Sequence, residues 1–217
     1  MAETIKEAKP PQKRDAEKTR QSILRAGLRE FAMHGFSGGR AERIARTARR
    51  NIRMLYHYFG SKEGLYESVL EEAYSQIRMQ EAKLALSEEE PLESLLALMR
   101  FTFDYFVDNP QFEGLLRAEN TMRGRFVRKL QKEPQNAFTM LRTVEKLIAA
   151  GQAKGELRDG LDARHVYMTI AALSRFHLAN QYTMSALLAL DLASPKWRAE
   201  RLEHCLGVLR AYLARLN

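Results

Sequence analysis

At 217 residues, with 35 Lys/Arg against 27 Asp/Glu, the chain carries a formal net charge of +8 and is long enough for a small domain beside a larger one without a disulfide or metal staple. The single cysteine, Cys205, cannot pair within the chain, no run reaches the roughly 18 uncharged apolar residues of a membrane helix, and the polar N-terminus has no apolar leader stretch. A disulfide scaffold within the chain is excluded, neither a helical membrane span nor secretion is expected, and the expected location is a reducing cytoplasm.

The charge is unevenly spread. Met1 to Gly60 holds 14 of the Lys/Arg and 6 of the Asp/Glu, so the entire excess lies in the first quarter and the remainder balances. A polyanionic partner for that quarter follows from counterion release, although a solvated basic face explains the charge alone equally well.

Residues 1–15 are polar, with Pro10-Pro11 and Lys6, Lys9, Lys13 and Arg14. They read as a flexible basic arm, either lying along phosphates or serving as a solubilising tail. From Glu17, the stripe Ile23, Leu24, Leu28, Phe31 and Ala32 predicts a helix that Gly35 stops. Ser37-Gly38-Gly39 reads as a loop. Ala41, Ile44, Ala45 and Ala48 then give a short helix with a small-residue face, on which a second helix can pack closely.

That second helix is residues 51–59, ended by Gly60. Leu55 and Phe59 share its apolar face and leave Asn51, Arg53, Tyr56, His57 and Tyr58 for other surfaces, an anchor on one side and donors on the other. The pair, about 40–59, has the size and pattern of a helix-turn-helix. Ser61 is the predicted N-cap of a helix carrying Leu65, Val69, Ala73 and Ile77 to near Leu86.

After Ser87–Pro91, the residues Leu92, Leu95, Leu96, Met99, Phe103 and Phe106 line a helix that Asp108-Asn109-Pro110 stops. Further helices are predicted over Phe112–Leu116, over Met122–Leu130 before Pro134, and from Phe138 to Gly151. One long helix carries Val166, Ile170, Leu173, His177 and Leu178 and extends toward Leu190. The last opens at Ser194-Pro195 and carries Leu202, Leu206, Leu209, Leu213 and Leu216, with Cys205, Val208 and Tyr212 as a second apolar edge. Two edges require two partners: the chain's own core and a copy of itself, or a monomer that buries both. The first is preferred because a single reading helix gives little affinity. Fold class is all-α, with no strand.

The segment T-R-Q-S-I-L-R-A-G-L-R-E-F-A-M-H-G-F at 19–36, I-A at 44–45 and L-Y-H-Y-F-G-S-K-E-G-L-Y at 55–66 strongly resemble the tetracycline-repressor (TetR/AcrR) family of bacterial transcription regulators. Beyond about residue 70 the resemblance lies in size, helical pattern and the N-P-x-F and E-N-x-x-x-G segments at 109–112 and 119–124. It implies an all-α homodimer: a flexible arm over 1–15, a DNA-binding unit over 16–63, and a domain over 64–217 that holds an effector and, through the last two helices, the dimer interface. Effector binding in such proteins alters the separation of the reading helices and releases DNA. The family's DNA-contact positions fall on Arg40, Asn51, Arg53, Met54, Tyr56, His57, Tyr58 and Lys62, with Leu55 and Phe59 as buried anchors. The chain departs from the family in having Gly39-Arg40 where Thr or Ser usually opens the short helix, and Arg49 where the turn usually has Gly. The second departure implies a positive φ at Arg49, costing about 1 kcal/mol.

Arg53 and Asn51 suit direct base reading, Arg against guanine O6/N7 and Asn against adenine N6/N7, while Tyr56, Tyr58 and Lys62 suit phosphates. Phe103, Phe106, Met122, Phe126, Tyr167, Phe176 and His177 have the make-up of a small-molecule cavity, though for each taken singly ordinary core packing is the better reading. His177 with Asn180, and Arg123 with Glu119, are its polar candidates. The five histidines include no pair at helical ligand spacing, and no P-loop, dinucleotide-binding or nucleophile-elbow segment occurs, so neither metal, cofactor nor enzymatic activity is expected. The reading is a ligand-responsive repressor that binds a palindromic duplex operator as a dimer. The alternative is a dimer that coats nucleic acid without sequence preference or effector.

Overall fold

A computed structural model describes residues 13–130 and 139–215, with side chains from Asp15 onward. Among these residues the regular structure is helical, with no strand and one isolated bridge between Leu157 and Ala214. The all-α expectation holds. Lys6 and Lys9 of the basic arm, Pro134 and Phe138, and Leu216 lie outside the described residues. The chain divides into two compact units between Leu70 and Glu71.

The first unit comprises α1 (Lys13–Gly38), α2 (Ala41–Ala48), α3 (Ile52–Phe59) and the opening turns of α4 (Lys62–Glu81). Helix α1 starts at Lys13, so Lys13, Arg14 and Asp15, assigned to the arm by sequence, are helical. Gly35 kinks it with φ 65° and ψ −179° where the sequence predicted a stop, but helix resumes as far as Gly38, so Ser37 and Gly38, expected in a loop, are helical. Ile23, Leu24, Phe31, Ile44, Leu55 and Leu65 are buried together, and full burial of such side chains contributes about 1.5–3 kcal/mol each. Tyr66 packs edge-on against Phe31 and Phe36, at 4.9 and 5.2 Å between ring centres.

This packing explains the first departure from the family pattern. A Cβ at position 39 would lie 2.6 Å from the Phe31 ring, so a glycine is required there. Arg40, the N-cap of α2, makes no side-chain cap bond. The cap comes instead from α1, where Glu30 Oε1 accepts the Arg40 amide at 2.9 Å and Arg43 Nε at 2.8 Å. Burial alone would raise the Glu30 pKa, but the hydrogen bonds from Arg43 and the Arg40 amide outweigh it and hold the carboxyl below its ordinary range.

The second unit contains the remainder of α4, then α5 (Pro91–Asp108), α6 (Pro110–Thr121), α7 (Val127–Leu130), α8 (Thr139–Ala153), α9 (Ala163–Ala179), α10 (Gln181–Leu188) and α11 (Pro195–Leu213). Pro91 opens α5 and Asn109-Pro110 ends it, as predicted. Helix α5 is central and packs on α6, α8, α9 and α11. Its Leu95, Leu98, Met99 and Phe103 meet Val144 and Leu147 of α8, Val166 and Ile170 of α9, and Cys205, Leu209 and Leu213 of α11. Cys205 is thus core rather than part of an outer edge, whereas Val208 is exposed.

Three helix expectations are corrected. Helix α4 ends at Glu81, not near Leu86. The stretch Met122–Leu130 is mostly a turn, with positive φ at Arg123 (57°) and Gly124 (68°) before the short α7. Glu119 organises it: its Oε2 accepts the amides of Phe126 and Val127 at 3.1 and 3.0 Å, so its described partners are those amides rather than Arg123. Finally, the long helix toward Leu190 is broken at Asn180 (φ −113°, ψ 18°), whose side-chain amide donates to the Phe176 carbonyl.

Candidate nucleic-acid interface and effector cavity

Helices α2 and α3 are joined by Arg49-Arg50-Asn51. Arg49 is left-handed, at φ 54° and ψ 45°, the positive φ expected of a non-glycine residue in this turn. The turn is closed by the amides of Arg49 and Arg50, which donate to Arg46 and Ala45 carbonyls at 3.0 and 2.9 Å. Asn51 caps α3 through Oδ1, which accepts the Arg53 amide at 2.9 Å. This is a role the sequence reading missed: Asn51 is first a structural cap, and its Nδ2 is the group left for other contacts.

Leu55 and Phe59 are buried, and the opposite side of α3 is left to Arg53, Tyr56 and His57, all exposed, Tyr56 at 45 %. Met54 and Tyr58 are half-buried, and the Tyr58 ring lies 5.1 Å from His57. Gly60 closes the helix at φ 71°, and Ser61 Oγ accepts the Gly64 amide at 3.0 Å to start α4. Lys62 sits in that first turn with its ammonium 4.7 Å above the Phe36 ring. Arg40 is exposed, its backbone fixed by Glu30.

The eight residues singled out from sequence therefore all lie along α2–turn–α3 and the first turn of α4. Arg46, Arg49 and Arg50, which the sequence reading did not assign, are also exposed there and form no ion pair with a described residue. Their signal was the R-T-A-R-R run, read at that stage only as bulk charge. A surface bearing this many guanidinium groups with no acidic residue on α3 can neutralise phosphates and present hydrogen-bond donors to base edges.

The second unit holds a cavity of about 800 Å³ between α4, α5, α6, α8 and α9. Of the seven residues predicted to line it, Phe106 and Tyr167 do. The other five do not line this cavity. Phe103 and His177 stack on each other in the core, at 4.7 Å and 18°; His177 is 2 % exposed, and burial pushes its pKa down to about 4. Phe126 is buried, Met122 is half-buried in the turn after α6, and Phe176 is 53 % exposed; none of the three borders the cavity. The reason is helical phase: Tyr167 and Phe176 are nine residues apart, about half a turn out of register, and cannot face one space. Asn180, bonded to Phe176, is no lining group either.

The phase that does face the cavity is Tyr167, Ile170, Ala171 and Arg175 on α9, opposite Tyr74, Ile77, Arg78 and Glu81 on α4. Burial raises the Tyr74 hydroxyl to about 12 and the Glu81 carboxyl to about 7, and raises Tyr167 as well. Arg175 Nε donates to Glu113 Oε2 at 2.7 Å, and Glu113 is 7 % exposed at its side chain. No group of metal-ligating side chains occurs among the described residues, and no described helix is long and apolar enough to cross a membrane.

Comparison with known proteins agrees with both units. Residues 23–69 match the family described as bacterial regulatory proteins, tetR family, and residues 91–208 match the tetracyclin repressor-like C-terminal domain. The HTH-type transcriptional repressor NicS of Pseudomonas putida is 41% identical over 185 residues, covering 85% of this chain and 87% of its own. The HTH-type transcriptional repressor SCO4008 of Streptomyces coelicolor is 29% identical over 163 residues, covering 75% and 80%. Among solved structures, the transcriptional regulator SCO4942 of Streptomyces coelicolor superposes with a TM-score of 0.68 at 24% identity, over 91% of this chain and 99% of its own. Two matching domains that together take in both units, and a relative aligned over most of both chains, establish the identity: the chain belongs to the TetR family of helix-turn-helix transcriptional regulators.

Proposed function

We propose that this protein is a cytoplasmic, ligand-responsive repressor that binds a two-fold symmetric operator as a homodimer. The observation that carries the reading is the α2–turn–α3 surface: a helix anchored by Leu55 and Phe59, with Arg53, Tyr56 and His57 exposed and flanked by Arg46, Arg49 and Arg50, which form no ion pair with a described residue. Arg53 reads base edges. Arg40, Tyr58 and Lys62 hold phosphates on either side, Tyr56 and His57 contact the groove, Met54 contributes packing beside it, and Asn51 adds its Nδ2 while capping the helix.

Dimerisation is supported by apolar side chains left in solvent on α9–α11: Met168, Phe176, Tyr182, Leu187, Leu188 and Val208. An effector in the α4–α9 cavity acts by preferring one placement of α4, whose opening turns belong to the DNA-binding unit and whose last turns line the cavity. A ligand indifferent to that placement would shift nothing. The test is competition binding at rising salt: a repressor retains selected genomic fragments against excess random duplex, whereas a coating protein loses both in parallel.

A further inference from the structure

Resting on the reading of the α4–α9 cavity as the effector site, we propose that its ligand is a small ring-bearing organic acid whose anionic group docks on Arg175. Arg175 lines the cavity, and two neighbours fix it, Glu113 from behind the wall and Phe106 within it. Glu113 on α6 takes Nε at 2.7 Å, and the guanidinium carbon lies 5.5 Å from the centre of the Phe106 ring. The two terminal nitrogens, Nη1 and Nη2, form no hydrogen bond with a described residue. A guanidinium oriented through Nε with its fork unspent is built to receive a carboxylate in two parallel hydrogen bonds.

The charge around the space agrees. Two guanidiniums, Arg78 and Arg175, line it; Glu113 behind the wall balances Arg175, and the one lining carboxylate, Glu81, is left only partly ionised near neutral pH by desolvation, so the balance at the space is positive. The Tyr74 and Tyr167 phenols, protonated at neutral pH and pushed further up by burial, add hydroxyl donors. A cavity rich in donors and poor in acceptors selects a ligand rich in acceptors. Its walls set the rest of the molecule: Phe112 meets Tyr74 edge-on at 5.5 Å and stacks on Phe106 at 5.6 Å, giving flat apolar surfaces suited to a ring.

The experiment uses the full chain and three probes of one shape, benzoate, benzamide and benzylammonium, followed by calorimetry and ligand-observed NMR. Removing Arg175 alone would strand the buried Glu113 carboxylate, so the variant is Glu113→Gln/Arg175→Gln, with Glu113→Gln as the control that keeps the arginine. The expected result is that benzoate binds at least about tenfold tighter than the other two, and that the double variant loses this preference while Glu113→Gln keeps it. Benzamide or benzylammonium binding as well as benzoate, with that binding lost when Ala171→Trp blocks the cavity, would overturn the acid class and leave the effector site standing. If no probe binds and Ala171→Trp leaves the release of DNA by active cell extracts unchanged, the effector reading itself falls.

Discussion

Arg49 offers a measurement in which stability and DNA binding move in opposite directions. It occupies the left-handed region at φ 54° and ψ 45°, a conformation that costs a residue with a Cβ about 1 kcal/mol and a glycine almost nothing. The two turn hydrogen bonds from Arg49 and Arg50 use only backbone atoms and survive any substitution that keeps the geometry. Arg49→Gly should therefore stabilise the first unit by about 1 kcal/mol, less the extra freedom of glycine in the unfolded chain. After that deduction the net gain is about 0.5 kcal/mol, which corresponds to about 2–4 °C in the melting of a domain this small and about twofold slower amide exchange across α2 and α3. Arg49→Ala keeps the Cβ and should give no such gain. Both variants remove one exposed cation per protomer, so both should bind DNA more weakly, with a shallower salt dependence. Thermal melts by circular dichroism, with residue-resolved hydrogen exchange, provide the comparison. An Arg49→Gly protein no more stable than Arg49→Ala would refute the claim that the turn stores strain.

Further expectations follow from the same coordinates. Arg53→Ala should lower the preference for a specific over a random duplex by about 1–3 kcal/mol per half-site, whereas Lys62→Ala should weaken both alike and reduce the salt slope by roughly one per protomer; anisotropy titrations at several salt concentrations separate the two. Glu81, whose folded pKa of about 7 lies above its unfolded 4.5, makes the fold less stable as pH rises between those values. Glu81→Gln should match the parent protein in chemical denaturation at pH 4.5 and exceed it at pH 8. Leu187→Glu, at a side chain 75% exposed, should leave the melt of the monomer unchanged while shifting sedimentation toward the monomer.

Local signals were legible in the sequence. Gly35, Gly60, Ser61, Ser194 and Pro195 act within one turn of themselves, and the Leu55/Phe59 spacing fixed the buried face of α3. Devices that span sequence were not. The start of α2 is held by Glu30, ten residues upstream, which takes the Arg40 amide, and nothing in the local pattern around Gly39-Arg40 signals it. Glu119 turns the chain after α6 by binding amides seven and eight residues on, and periodicity read that stretch as helix. The cavity was the least legible part. Aromatic and methionine content selected residues by type, but helical phase decides which of them share a space, and it chose Arg175 over Phe176 although they are neighbours.

The central claim is that twinned copies of α3 read duplex DNA by sequence. Sequencing the genomic fragments that the purified protein retains under stringent salt tests this most directly. The account predicts one enriched, two-fold symmetric motif whose half-sites lie about 10 base pairs apart or a multiple of that, and whose enrichment disappears with Arg53→Ala. Retained fragments with no common motif, or a motif untouched by Arg53→Ala, would contradict it.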